Sequence, residues 1–183
     1  NYNVCVGDEA GTAIDTGDSN VAVGYAALDA NSTGSNNIAV GFAALGANTT
    51  ASNNVAVGYA ALDANTTGTQ NIAVGFSALT ANTTANSNIA IGTNALAANT
   101  TGANNTAVGE NVMAANTEGV NNVALGYIAL DADTKGNQST ALGYAALSAQ
   151  NFTSSTASQN TAVGYSAGED ITTGVSNTLL GAN

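Results

Sequence analysis

Asp8, Glu9, Asp15, Asp18, Asp29, Asp63, Glu110, Glu118, Asp131, Asp133, Glu169 and Asp170 are the side chains of this sequence best suited to chemistry. A facing pair of carboxylates can act as acid and base, or acid and nucleophile, in glycoside hydrolysis. Here they are scattered along the chain and do not converge. There is no His, so a nucleophile–His–carboxylate triad cannot be built. The expectation is a protein without an active site and without a cofactor. Asp8, Glu9, Asp15 and Asp18 lie close together in sequence, and calcium takes such oxygen clusters. A solvated, solubilising end explains the same residues more simply, so no metal site is assigned. Cys5 is the one cysteine and reads as a small packed residue.

The cations are as informative as the anions. Lys135 is the only basic residue, and the net charge is -11. Nucleic acid binding needs several cations to displace phosphate counterions, and an anionic membrane surface asks for the same, so both are excluded as partners. No apolar run reaches the ~18 residues needed to cross a bilayer. The chain starts at Asn1 with no basic-apolar leader, and its last repeat stops at Asn183. Residues 1–183 therefore read as one repeat segment, a piece of a longer fibre protein.

That repeat is the dominant signal. Gly7, Gly24, Gly41, Gly58, Gly75, Gly92, Gly109, Gly126 and Gly143 recur every 17 residues, and after one step of 21 the series resumes at Gly164 and Gly181. Each glycine sits in the phrase Asn-Val-Ala-Val-Gly-Tyr-Ala-Ala-Leu-x-Ala-Asn-Thr-Thr-Gly-x-Asn, with variations. A period this short is one turn of a coil rather than a domain. The spacing predicts an all-β, parallel β-solenoid of about ten 17-residue rungs.

Read by column, Val21, Ile38, Val55 and Ile72 precede Ala22, Ala39, Ala56 and Ala73, and Val23, Val40, Val57 and Val74 follow. Branched residues around a small one predict a strand of about five residues with a bulky face and a flat face. A second short strand and two turns complete the expected rung. Val, Leu and aromatic columns are expected to stack inside, with the flat Ala face, or the aromatic column beside it, as the contact for two sister chains. Gly relieves a bend that a side chain would block. Asn-Thr-Thr-Gly is turn chemistry, and the two Asn columns can form amide ladders along the axis. Asp29 and Asp63 lie two rungs apart with Gly46 between them, which spaces like charges.

The phrase Asn-Val-Ala-Val-Gly-Tyr-Ala-Ala-Leu-Asp-Ala-Asn-Thr-Thr-Gly resembles the head repeats of YadA-type trimeric autotransporter adhesins and related repeats of bacteriophage tail fibres. The resemblance covers essentially the whole chain, although this rung is longer than that of the adhesin heads. It implies a left-handed β-roll, three chains wound side by side, and a role in binding or spacing surfaces outside the cell or on a virion.

Three further features carry candidate functions. Asn31, Asn48, Asn65, Asn82 and Asn99 begin Asn-x-Ser/Thr sequons and are candidate glycosylation sites, as are Asn104, Asn137 and Asn151. Thr49, Thr66, Thr83 and Thr100, each followed by a second Thr, invite an ice-binding reading, though turn chemistry explains them too. The extra four residues fall within 150–157, where Asn151, Phe152 and Thr153 form a candidate contact loop. Phe152 could project outward as an adhesive aromatic or fold back onto the rod. The function expected is a structural head or shaft segment of an extracellular homotrimeric fibre or adhesin, with a host-surface or matrix receptor as partner. A filament of single-chain solenoids, glycosylated or not, and an ice-binding solenoid are the alternatives.

Overall fold

The computed structural model describes residues 2–182. Each turn of the coil contributes one strand of three residues rather than two longer ones. These are β1 (Val4–Val6), β2 (Val21–Val23), β3 (Ile38–Val40), β4 (Val55–Val57), β5 (Ile72–Val74), β6 (Ile89–Ile91), β7 (Thr106–Val108) and β8 (Val123–Leu125). The series continues with β10 (Thr140–Leu142), β12 (Thr161–Val163) and β13 (Thr178–Leu180). Together they form one 11-stranded parallel sheet with sequential neighbours in register, Val55 on Ile72 and Ala56 on Ala73. Eleven strands at one rung spacing make a rod roughly 48 Å long. Two further strands, β9 (Gly136–Asn137) and β11 (Thr156–Ala157), pair beside the insertion.

The expected second strand is absent because its residues alternate in hand. Ala60 has φ 50° and Leu62 φ 54°, and Gln70 turns left-handed again at φ 60°. Each such L-residue costs roughly 1–2 kcal/mol against a right-handed backbone. The strain is offset because hydrogen bonds between rungs run around most of the coil and do not stop at the strands. Ala60 N–H donates to Phe42 O (2.9 Å) in the rung before, and Leu62 N–H donates to Ala78 O (2.9 Å) in the rung after. Two tight turns per rung are closed by Ala61 N–H to Gly58 O and Asn65 N–H to Leu62 O.

The interior is narrower than the column reading assumed, and this reverses the sheet. Ala22, Ala39, Ala56, Ala73 and Ala90 are fully buried and point inward. Val23, Val40, Val57 and Val74 are only half-buried and point outward. The aromatic column, expected inside, is exposed as well, with Tyr59 at 50%. One large side chain per inner rung fills the core: Leu28, Leu45, Leu62, Leu79 and Leu96 are all buried, with Met113 next in the column, and a methyl is what fits opposite them. Valine pairs from every strand would not fit beside that leucine in so thin a coil. The Ala face is therefore core and is not available to sister chains.

The rungs at both ends solve the same packing problem differently. Gly11 and Gly168 replace the Leu, and Ile14 and Ile171 replace the buried Asn three residues on. A side chain started at Gly168 would meet Ile171 Cδ1 and Leu179 Cδ1, both at 3.4 Å, so these residues reach into the volume a leucine would have filled. Cys5 occupies the Ala column of β1 beside Gly11, but this rung ends the rod with nothing stacked beyond it, so Cys5 is exposed and is not the packed residue expected.

The main glycine column is enforced by contact as well as by backbone hand. Gly58 has φ +138°, and an added Cβ would lie 2.7 Å from the carbonyl carbon of Gly75 in the next rung. No side chain fits there without parting the rungs.

The leucine stack is the element most open to direct measurement. Leu62 lies fully buried between Leu45 and Leu79. Leu62→Ala is expected to cost roughly 2–5 kcal/mol, read as a shift in the denaturant midpoint at unchanged slope. A loss under about 0.5 kcal/mol would mean that the column does not carry the core.

Candidate interaction surface

The sequons come first, because the fold decides them. Asn31, Asn48, Asn65, Asn82 and Asn99 are completely buried. The Nδ2 of Asn65 donates to Asn48 Oδ1 (3.1 Å) in the neighbouring rung and to Gly68 O (3.0 Å) in its own turn, and Asn82 and Asn99 repeat the pattern. Glycosylation would replace one of the two Nδ2 hydrogens and needs room that a fully buried side chain does not have, so these five asparagines are structural in the folded rod. The other Asn column interlocks with this one. Asn54 Nδ2 donates to the same Gly68 carbonyl (2.9 Å), and Asn54 Oδ1 accepts the backbone N–H of Asn71 (2.9 Å). Among the described residues no buried side-chain nitrogen or oxygen lacks a partner. Asn104 and Asn151 remain exposed.

The Thr columns are also tied into the coil. The Oγ1 of Thr49, Thr66, Thr83, Thr100 and Thr117 donates to the carbonyl of the Thr one rung on. Thr50, Thr67, Thr84 and Thr101 beside them are exposed.

At the insertion the ladder is rewired. Position 133 brings Asp and position 150 brings Gln where the inner rungs from Asn31 to Asn116 hold Asn. Asp133 is buried, and its Oδ1 accepts the N–H groups of Gly136 and Phe152, both at 3.0 Å. Its Oδ2 accepts Gln150 Nε2 (2.6 Å), and Gln150 Oε1 accepts Asn160 Nδ2 (2.7 Å). Ser139 and Ser158, with hydroxyls 2.6 Å apart, close the network. Phe152 folds back and is 7% exposed, while Asn151, Thr153, Ser154 and Ser155 face solvent. Of the candidate contact loop, only Asn151 and Thr153 are thus on the surface. The loop's clue in the sequence was the departure of Asp133, Ser139 and Gln150 from otherwise Asn columns.

The acidic residues stay apart. Among the described residues, no group of three or more Asp, Glu, His or Cys side chains is placed to hold a metal. Asp18 Oδ1 accepts the Tyr2 backbone N–H (2.6 Å), which holds its carboxyl below the usual value. The Glu9 carboxylate, hydrogen-bonded to Tyr25, raises the phenol. Burial pushes the Asp63 and Asp131 carboxyls up. Asp63 leans over Gly46, where an added Cβ would stand 2.8 Å from its Oδ1, so the glycine between the two acidic rungs makes room as well as distance. Lys135 pairs with Glu118 at 2.8 Å.

Two surface features run the length of the rod. The outer face of the 11-stranded sheet is a double column of Val, Ile, Leu and Thr without a single charge, from Val4 and Val6 to Thr178 and Leu180. Along its edge the aromatic rings stack. Tyr25, Phe42, Tyr59 and Phe76 form one run with centroids 5.0–5.3 Å apart, and Tyr127, Tyr144 and Tyr165 form another at 5.0–5.4 Å. Thr93 and Glu110 interrupt the column between the runs.

Two predictions follow from the buried and half-buried acids. Asp63 makes no hydrogen bond that favours its charged form, so the folded state prefers it protonated. Its stabilising contribution is complete below the ordinary value of 3.8 and is lost as pH rises through the raised folded pKa. Asp63→Asn should raise Tm at pH 7, and the gain should vanish below pH 3.8. For the insertion, deleting residues 153–156 restores the 17-residue step and leaves Ala157 in the Gly/Ala column. That deletion alone takes the Phe152 N–H from Asp133 and should cost about 2 kcal/mol. Adding Asp133→Asn and Gln150→Asn should recover most of the loss, measured by thermal melting.

No protein-family profile matches the chain, and neither does any curated protein or any solved structure.

Proposed function

We propose that this chain is a structural segment, head or shaft, of an extracellular fibre in which three copies pack along their lengths. The observation that carries this reading is the uncharged outer face of the sheet. Val, Ile, Leu and Thr occupy both outward columns in all eleven rungs, while the carboxylates sit in other columns. Several members are well exposed on the single chain, Leu125 at 52% among them. A continuous apolar stripe roughly 48 Å long exceeds what soluble monomers usually leave open and marks an association surface. It is also flat and branched, which suits close packing of one rod on another.

The aromatic column borders this face and is assigned to its rim. It carries Asp8 and Glu110, and burying those carboxylates at a symmetric interface would be costly. Three like chains meeting through equivalent faces give closed threefold symmetry and a rod that is charged only on its outside. The left-handed, three-chain winding implied by the adhesin and tail-fibre resemblance fits this arrangement, as does placement on a cell or virion surface. The work is then mechanical, spacing or presenting a surface toward a host or matrix receptor. A filament of single solenoids would need another covering for the same stripe.

Multi-angle light scattering on the purified chain at micromolar concentration is expected to give three copies. Val57→Glu with Ile72→Glu should shift the mass to one copy while the β-type circular dichroism persists. A wild-type monomer at that concentration would overturn the reading.

A further inference from the structure

The interruption in the aromatic column is a built feature with its own chemistry. The first run ends at Phe76 and the second begins at Tyr127, three rungs or roughly 14 Å further along. Inside each run the ring faces cover one another, but the upper face of Phe76 looks onto Thr93, a much shorter side chain. Phe76 is 53% exposed, against 46% for Phe42, which is stacked on both sides. One rung above Thr93 stands Glu110, followed by Tyr127. The floor beside them is polar as well: Asn94 and Asn111 replace small residues of the neighbouring column, and Asn94 Nδ2 donates to Asn111 Oδ1 (3.1 Å).

Glu110 and Thr93 are both exposed, and the carboxylate has no hydrogen bond or ion pair among the described residues. The chain cannot supply its counter-charge. It contains no Arg, and its single Lys is already paired with Glu118. With no Arg in the chain and Lys135 paired, an arginine at this notch comes from a different protein.

We propose that the notch between Phe76 and Tyr127 binds an arginine side chain of a partner protein. A guanidinium laid on the free Phe76 face occupies the level of the missing ring at Thr93. There it lies within the ~6 Å over which a ring attracts a cation, and about one rung, ~4.8 Å, from the Glu110 level. Its planar face matches the ring, and its edge N–H groups can reach Glu110 and the second lone pair of Asn111 Oδ1. A lysine ammonium would gain the charge attraction but not the stacking. The chain's net charge of -11 draws basic partners to the rod, and the notch selects among them. The assignment needs only the solenoid and its exposed aromatic edge, so an oligomeric state other than three leaves it standing.

The probe is the peptide acetyl-Gly-Arg-Gly-amide, titrated into the intact chain and followed by the ring NMR signals of Phe76 and Tyr127. Saturable shifts are expected, with the lysine counterpart binding about fivefold more weakly or worse. Glu110→Gln should weaken the arginine peptide about threefold to fivefold, while Asp170→Asn, which removes the same charge elsewhere, should change it less than about 1.5-fold. The double variant Thr93→Tyr with Glu110→Phe fills the notch, joins the two ring stacks and should abolish binding. Equal binding of the two peptides to the wild-type chain would overturn the proposal. So would equal losses in Glu110→Gln and Asp170→Asn, or binding that survives the filled notch.

Discussion

Everything in this rod depends on a pair of buried amide ladders. A coil of 17 residues is too thin to hide its turns behind hydrophobic bulk, so its turn carbonyls lie inside and must be paired there. Asn20 and Asn31 both donate Nδ2 to Gly34 O at 2.9 Å, and the next rungs repeat the arrangement at Ala51 and Gly68. An asparagine is the right length and carries both a donor and an acceptor, so each rung passes a bond to the next. The ladders fix the axial register of the coil. The leucine column, the glycine contacts and the aromatic stacks then follow at one-rung spacing.

The insertion shows what it takes to depart from that register. A carboxylate cannot donate to the ladder, yet Asp133 is buried within it. It is tolerated because three donors converge on it, from Gly136, Phe152 and Gln150. Gln150 has the extra methylene to span the widened turn and still bond Asn160. The loop, the acid and the glutamine form one unit, which makes the extra residues part of the fold rather than an appendage.

The interior is committed to holding the rungs together, and the outer faces of the rod differ. The sheet's outer face is apolar and uncharged, suited to like chains. The aromatic edge is regular except at Thr93 and Glu110, which separate the two ring stacks. The Thr columns are bonded along the axis and serve the turns. Carboxylates are spread over the remaining columns and the ends, which keeps a rod with an apolar stripe soluble.

Much was legible in the sequence. The glycine period set the rung length and rung count, because only a coil repeats a contact at such short intervals. It also fixed parallel pairing, and the Asn columns announced the ladders. The leucine column was expected inside and is buried, but the valine and aromatic columns were expected there with it and lie outside. The direction of the strand could not be read. Val21-Ala22-Val23 alternates equally well with either face inward, and hydrophobicity alone favoured valine. The tertiary structure chose alanine, because space opposite the leucine, rather than affinity for it, limits what the core admits. Nor did any local pattern disclose the left-handed backbone at two columns of each rung, Ala60 and Leu62 in one of them, a strain that is tolerable only once two neighbouring rungs supply the hydrogen bonds. Sequence periodicity specifies which residues share a column. Only the closed coil, with its fixed internal width, decides which columns are core and which meet the outside.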